Sequence, residues 1–376
     1  VRFATRAFRE QYLPMLNHNG EAGRRTLIVG AGDAGQMIVR EVRANARLDM
    51  HLVGFVDDDP AKRKSSFQGL RVLGKQDDIA AIIKSYRVED IVIAMPSASG
   101  GQVKSIVDRC HELGVKPRIL PGVGDLIDGT VSVQQLRDVK LEDLLGRMPI
   151  SLDQAQISNY LEGKRVLVTG AGGSIGSEIC RQVAGFKPEK LILFENAETP
   201  LFLIEKELSE THSDIPIVPI IGDIRNPARI NVIFDEQMPQ VVFHAAAYKH
   251  VPMMENNPAE AVNNNVRGTK LLADAADDLG VETFVMVSTD KAVKPTNVMG
   301  ATKRAAELYV QSLAQRSKTR YVTTRFGNVL GSNGSVIPTF KEQIENGGPV
   351  TVTHPEVTRY FMTIPEATQL VLQAGS

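Results

Sequence analysis

Short apolar runs alternate with amphipathic stretches along most of the chain, in two blocks that open the same way. In the first, Thr26-Leu27-Ile28-Val29 leads into Gly30-Ala31-Gly32-Asp33-Ala34-Gly35 and a helical pattern through about Arg43. In the second, Arg165-Val166-Leu167-Val168 leads into Thr169-Gly170-Ala171-Gly172-Gly173-Ser174-Ile175-Gly176 and a helix through about Val183. Such β-branched runs, bounded by glycine or aspartate, predict parallel sheets with crossover helices. Further strands are predicted near 52–56, 90–94 and 117–120, then near 191–194, 217–221, 241–244, 283–287 and 320–325. Met37, Ile38 and Val42 read as core positions of the first helix.

The expected fold class is therefore α/β, with two successive Rossmann-like domains built on parallel sheets. A basic segment is expected over 1–22 and a nucleotide-binding-type domain, regulatory or positioning, over 23–145. A linker is expected over 146–163, inside the less periodic stretch from Leu141 to Gly163, and a catalytic domain over 164–376.

Composition adds mainly exclusions. With 376 residues, 43% apolar, 23% charged and a net charge of −1, the chain suits a soluble two-domain protein and gives no electrostatic case for nucleic acid. Cys110 and Cys180 lie far apart without ligand spacing, which argues for a reducing compartment and against a metal. No run approaches the roughly 18 to 20 apolar residues that cross a bilayer. The start at Val1 amid Arg2, Arg6 and Arg9, and the end at Gly375-Ser376 directly after Leu370-Val371-Leu372, read as cuts. The expectation is a soluble fragment, truncated at its C-terminus.

Chemistry collects in the second block. Gly170, Gly173 and Gly176, with Ser174 and Ile175 between them, follow a strand and open a helix, an arrangement that brings a pyrophosphate to bare backbone at a helix N-terminus. Glu195 ends the next strand, where a carboxylate accepts from both ribose hydroxyls and repels a 2′-phosphate, so NAD is the expected cofactor. Asp223 and Ile224 follow the third strand, on the adenine side. Ala245, Ala246 and Ala247 end the fourth, small enough for a nicotinamide ribose to lie close. Ser288-Thr289-Asp290-Lys291 ends the fifth. All sit at carboxyl ends of parallel strands, where ligands bind in such sheets.

From Val168 to Glu178, His244 to Val251, Asn263 to Thr269, Ser288 to Arg304, Arg325 to Phe340 and Thr358 to Ala367, the chain resembles the extended short-chain dehydrogenase/reductase superfamily. More closely it resembles the large membrane-associated nucleotide-sugar 4,6-dehydratases of bacterial polysaccharide biosynthesis. The resemblance implies an extended fold with a small substrate-binding part. The superfamily places a tyrosine four residues before a helical lysine; here Lys303 is present but Met299 replaces the tyrosine, and a thioether cannot exchange a proton. Either the domain is inert or the proton work has moved to Thr289, Asp290 and Lys291. The long dehydratases carry the same methionine and are active, which implies an enzyme.

The implied reaction oxidises C4 of UDP-N-acetylglucosamine with NAD, eliminates water across C5 and C6, and returns the hydride to C6. By the same resemblance Asp290 is the acid at the C6 hydroxyl, Lys291 the base at C5, and Thr289 holds the C4 hydroxyl, with C5 configuration retained. For substrate binding, Lys249, His250, Asn265, Asn328, Val336, Phe340 and Arg359 are expected, Arg359 as a bidentate partner of the pyrophosphate. Each of these also reads as an ordinary loop or packing residue. The first block has a nucleotide fingerprint, with Asp57-Asp58-Asp59 after its second strand, but no reacting group. His51, His111 and Cys110 read as packing or surface residues.

Two rivals stay open: a UDP-sugar 4-epimerase, which needs no acid at C6, and a non-catalytic NAD-binding scaffold. The resemblance further implies a homo-oligomer on the cytoplasmic face of the inner membrane, attached through segments outside this fragment.

Overall fold

A computed structural model describes residues 23–45, 48–120, 133–144, 153–332, 334–352, 354–356 and 358–376. The basic segment expected over 1–22 lies outside them. The chain divides into two compact units, Val1–Pro149 and Ile150–Ser376.

The first unit runs β1 (Arg24–Val29), α1 (Asp33–Ala44), β2 (Met50–Val56), β3 (Ser66–Phe67), β4 (Leu70–Gly74), α2 (Ile79–Tyr86), β5 (Asp90–Ile93), α3 (Gly100–Glu112), β6 (Lys116–Ile119) and β7 (Arg137–Asp138). Its seven strands order as β3-β4-β2-β1-β5-β6-β7, with β3 and β7 antiparallel at the edges. Leu27 and Val29 pack toward α2 and α3, while Ile28 faces α1.

Two expectations need correction here. Ile38 and Val42 are buried, but Met37 is 44% exposed. The buried stripe of α1 runs Gly35, Ile38, Val39, Val42, and Met37 sits about 100° away from Ile38 around the helix. The β3–β4 hairpin was not expected at all. Its turn residues Gln68 and Gly69 have φ of 52° and 70°, the two left-handed positions of a tight hairpin turn, and glutamine is an unusual occupant of the first.

The second unit continues with α4 (Gln154–Leu161), β8 (Arg165–Thr169), α5 (Ser174–Ala184), β9 (Lys190–Glu195), α6 (Glu198–Thr211), β10 (Ile217–Ile221), α7 (Pro227–Gln237), β11 (Val241–His244), α8 (Val251–Asn256) and α9 (Pro258–Ala261). A π-helical turn over Val262–Gly268 leads into α10 (Thr269–Leu279). Then come β12 (Thr283–Thr289), α11 (Val298–Ala314), β13 (Arg320–Phe326), β14 (Asn328–Val329), α12 (Val336–Glu345), β15 (Phe361–Met362) and α13 (Ile364–Gly375).

Six strands form one parallel sheet in the order β10-β9-β8-β11-β12-β13, and β14 pairs with β15 in a separate parallel ribbon. Strand order reverses between β8 and β11, and a crevice opens at such a reversal, outside the carboxyl ends. β8 is apolar on both faces because both are covered. Val166 and Val168 meet α4, α5, α6 and α13, while Leu167 meets α7, α10 and α11.

The linker expected over 146–163 is shorter than that. α4 lies inside it, yet Ile157 and Leu161 are fully buried in the second unit's core, and the Tyr160 hydroxyl donates to the Leu372 carbonyl at 2.6 Å. The fifth-strand and sixth-strand expectations hold to within two residues at each end. Among the described residues, no helix is long and apolar enough to cross a membrane.

Leu161→Ala should cost the second unit about 3 kcal/mol, the usual toll of truncating a fully buried leucine. Urea unfolding measures it; a loss under about 0.5 kcal/mol would return the stretch to linker status.

Candidate active site

The crevice between β8 and β11 is built by close backbone approach. Gly170 has φ of 68°, and a Cβ there would lie 2.8 Å from the Ala246 nitrogen. A Cβ on Gly176 would sit 2.0 Å from the Gly170 carbonyl oxygen, so both positions exclude side chains. Gly173 is the N-cap of α5 and brings no side-chain cap; Ser174 opens the helix and Ile175 packs against the core beneath. The helix N-terminus is thus presented to the crevice as an anion site. Ala245, Ala246 and Ala247 follow β11 across this loop and are half-buried.

Glu195 is fixed rather than free. Its carboxylate accepts from the backbone N–H of Gly172 at 3.0 Å, of Asn196 at 2.9 Å and of Ala197 at 3.1 Å. Gly172 was not singled out in the sequence, yet a Cβ there would reach within 2.5 Å of Pro200. Asp223 is gripped by the Arg225 guanidinium, which holds its carboxyl below the usual range against the opposing effect of burial. Ile224 is 6% exposed and packs against Gly268, a core position more than a ligand contact.

Beneath the crevice runs a closed hydrogen-bond chain. Thr269 Oγ1 donates to the Asn265 carbonyl at 2.7 Å, so it accepts from His244 Nε2, and Nδ1 accepts from Thr169 Oγ1 at 2.7 Å. Burial, helped by the charge of Lys303, drops the His244 pKa to about 3 and keeps the ring neutral. Asn265 is fully buried. Its amide accepts from Tyr248 N–H at 2.8 Å and donates to Tyr248 O at 3.0 Å and Thr302 Oγ1 at 3.1 Å. Expected to bind substrate, it instead spends its side chain fastening the 245–250 segment to α11. His244 was missed as a site residue, since nothing local in sequence names its two threonine partners.

α11 carries the residues whose spacing first drew attention. Lys303 is 4% exposed and, among the described residues, makes no hydrogen bond or ion pair; burial lowers its pKa to about 8, despite nearby Glu307. Met299 is also 4% exposed, but it packs with Met254, Ala261, Tyr248 and Val251. It is a packing residue here and not a reacting one, as a thioether must be.

At the end of β12 the three expected reacting residues form one cluster. Thr289 Oγ1 donates to Asp290 Oδ1 at 2.9 Å, and Lys291 Nζ donates to the same oxygen at 3.0 Å and to Asn328 Oδ1 at 3.2 Å. Partial burial of Asp290 favours its neutral form, but the hydrogen bonds from Lys291 and Thr289 prevail and hold its carboxyl below the usual range. The cluster stands on Glu307, fully buried, which accepts from Ser288 at 2.6 Å, from Arg325 Nε at 2.8 Å and from Arg304 at 3.0 Å. Burial would raise the Glu307 pKa; those three donors outweigh it and hold it at about 2.

The remaining expected residues are more scattered. The β14–β15 ribbon pairs Asn328 with Phe361 and so brings the 359–360 segment beside the cluster. Arg359 is exposed and donates to the Thr358 carbonyl at 2.9 Å. Lys249 and His250 are exposed, with the His250 ring 2.6 Å from where a Cβ on Gly334 would lie. Val336 and Phe340 lie on α12, Val336 39% exposed and Phe340 half-buried. No hydrogen bond or ion pair joins these last four to Asp290 or Lys291 among the described residues.

A family model described as "Polysaccharide biosynthesis protein" matches residues 166–376. The chain belongs to that family. A second model, described as "CoA-binding domain", matches residues 1–121. Among curated relatives, the capsular polysaccharide biosynthesis protein CapD of Staphylococcus aureus is 50% identical over 99% of this chain and 63% of its own length. The probable polysaccharide biosynthesis protein EpsC of Bacillus subtilis is 49% identical over 94% of this chain and 60% of its own. The chain therefore spans less than two thirds of these relatives. A UDP-N-acetylglucosamine 4,6-dehydratase (inverting) of Campylobacter jejuni is 36% identical over 56% of the chain and 63% of its own length. The X-ray structure of Pen from Bacillus thuringiensis superposes with a TM-score of 0.54 at 39% identity, covering 57% of this chain and 68% of that one.

Two buried charges on α11 should behave oppositely. Lys303→Met should raise stability at pH 7 by up to about 3 kcal/mol, the free-energy equivalent of moving a lysine pKa from 10.5 to about 8. Glu307→Gln should lower it by about 3 kcal/mol. Because the folded Glu307 pKa lies below the ordinary glutamate value of 4.5, its contribution is complete above that pH and fades as pH falls toward about 2. Denaturant unfolding at pH 7 and pH 3 checks both; the variant–parent gap for Glu307→Gln should narrow in acid.

Proposed function

We propose that the second unit dehydrates a UDP-linked N-acetylhexosamine, UDP-N-acetylglucosamine, to a 4-keto-6-deoxy sugar nucleotide with bound NAD, for polysaccharide synthesis. The observation that carries this is the Thr289–Asp290–Lys291 cluster, a hydroxyl and an amine both donating to Asp290 Oδ1 at the carboxyl end of β12. The dinucleotide has fitting contacts: a glycine cradle that any Cβ would fill, the uncapped N-terminus of α5, Glu195 pinned to the loop for a ribose, and the unpartnered Lys303 amine for the nicotinamide ribose. When bound, NAD supplies a hydride acceptor for C4 and the same hydride for C6.

Proton movement then falls to this chain's own residues. Thr289 holds the C4 hydroxyl and passes its proton along the existing 2.9 Å hydrogen bond to Asp290, which turns a carboxylate into the acid that the next step needs. With Asp290 protonated, Lys291 loses its counter-charge, gives its ammonium proton to solvent, to be regained at the end of the turnover, and takes the C5 proton made acidic by the neighbouring ketone. Asp290 gives its proton to the departing C6 hydroxyl, and water leaves. Lys291 returns its proton to C5 as C6 is reduced. Every proton removed is thereby placed: that of O4 leaves in the water, and that of C5 goes back to C5. A single amine that removes and restores the C5 proton from one side retains configuration there. The Campylobacter relative named as inverting would need the proton delivered to the opposite face.

Incubation with UDP-N-acetylglucosamine and NAD in H2O, followed by NMR before and after borohydride reduction, tests the reading. A 4-keto-6-deoxy product is expected, reduced to 6-deoxy sugars whose restored H4–H5 couplings are those of the D-gluco and D-galacto series. An axial 4-hydroxyl with the C6 hydroxyl intact would mark an epimerase, an unchanged sugar a scaffold, and reduced products of the L series an inverting enzyme. Asp290→Asn and Lys291→Ala should each keep NAD affinity within about threefold and lose elimination by about 100-fold or more, the usual scale for removing a general acid or base. Retained turnover in either variant removes that residue's role.

A further inference from the structure

Ser288 and Arg325 are register partners on β12 and β13, and both side chains meet Glu307 of α11. Alternation along the strand sends the next residue, Thr289, to the opposite face. On the α11 side lies a cavity of about 410 Å³, lined by Ala292, Val293, Lys294, Arg304, Gln311 and Arg325. None of these six takes part in the reaction proposed above. The lining residues include three cations and no carboxylate. Arg304 Nη1 donates to Glu307 at 3.0 Å, and Arg325 donates to the same carboxylate through Nε and Nη2. That leaves Nε and Nη2 of Arg304, and Nη1 of Arg325, without a partner among the described residues. Lys294 and Gln311 make no hydrogen bond or ion pair among those residues either. One buried carboxylate thus stands against three positive charges grouped around a single hollow. Lys294 also has φ of 50°, a left-handed conformation that costs a lysine and that tends to gather at ligand clamps.

We propose that this cavity binds a diphosphate, held by the spare N–H groups of Arg304 and Arg325, the Lys294 amine and the Gln311 amide. A lone exposed cation is simply solvated, but several around one concavity repel one another and concentrate anions. Guanidinium forks suit phosphoryl oxygens, which they meet two at a time. No aromatic side chain lines the cavity, so a nucleobase would find no ring to stack on. Apolar lining is limited to Ala292 and Val293. Charge, and not a nucleoside, is therefore what the site recognises. Its occupant shares two guanidinium groups with Glu307, whose carboxylate also accepts from Ser288, the neighbour of Thr289. Binding here does not depend on the reaction proposed above.

Inorganic pyrophosphate is the probe, titrated by calorimetry at constant low ionic strength with NAD present to fill the glycine cradle. Four proteins are compared: the unsubstituted chain, Gln311→Glu, Lys294→Gln, and Lys318→Gln as an exposed charge outside the cavity. Neither cavity variant touches Glu307, and matching melting temperatures without ligand show that all four are folded. Gln311→Glu, which sets a carboxylate in the wall, should weaken binding about tenfold or more. Lys294→Gln should weaken it about three- to tenfold, and Lys318→Gln less than about twofold. No binding to the unsubstituted chain overturns the site. Equal affinity in all four proteins overturns it too, as does a weakening that Lys318→Gln shares. Inorganic phosphate binding as tightly as pyrophosphate overturns the assignment to a diphosphate. A monoester, methyl diphosphate, separates the two sources: affinity within about threefold of pyrophosphate marks the diphosphate end of a larger molecule, and a greater loss marks the free anion. Either result supports the site.

Discussion

Backbone pressed against backbone at Gly170 is the constraint from which the second unit's site is organised. The carbonyl of Gly170 lies where Gly176 has no room for a side chain, and its own α-carbon abuts Ala246. These contacts hold β8, α5 and the end of β11 at one point, where the strand order reverses. Directly below, the path Thr169–His244–Thr269–Asn265–Thr302 ties that point to α11 through hydrogen bonds whose donor directions are all determined. A neutral histidine suits this task, since its one N–H donates to Thr269 while its bare nitrogen accepts from Thr169. The glycine loop and the lysine-bearing helix are therefore positioned by one continuous polar thread inside an otherwise apolar sandwich.

Four residues apart on α11, two buried charges show different uses of the same low-dielectric setting. Glu307 is surrounded by donors and anchors β12, β13 and α11 to one another beneath the reacting cluster. Among the described residues Lys303 makes no hydrogen bond, and only the charge of Glu307 offsets its burial. Buried ions are normally paired or neutralised, so an amine left without a partner in a cleft is a candidate for work on a ligand. The contrast is between an ion satisfied by three side chains and one whose burial no hydrogen bond offsets.

Much of this was legible from residue order because the signals are local. A glycine loop after an apolar run, a carboxylate closing the next strand, and adjacent Asp290 and Lys291 all declare themselves within a few positions. The parallel strands did so too, through runs buried on both faces. What escaped depends on distant partners. α4 looked like linker because the surface that buries Ile157 and Leu161 is supplied partly by α13, some 200 residues later. Glu307 went unremarked because its partners Ser288 and Arg325 come from β12 and β13 and meet it only in the fold. Asn265 has the right identity for site work, but only the fold reveals that its amide is consumed by Tyr248 and Thr302. The hairpin turn at Gln68-Gly69 was hidden by an uncommon residue choice at a left-handed position.

The solitary amine of Lys303 carries a thermodynamic implication for the resident group. An ammonium stripped of hydration inside the protein makes the bare cleft the costlier state, and hydroxyl oxygens settling against it restore what solvent would have given. Occupancy and foldedness then reinforce each other through linkage. Were that ligand the dinucleotide proposed above, the coupling would favour its staying bound from one turnover to the next.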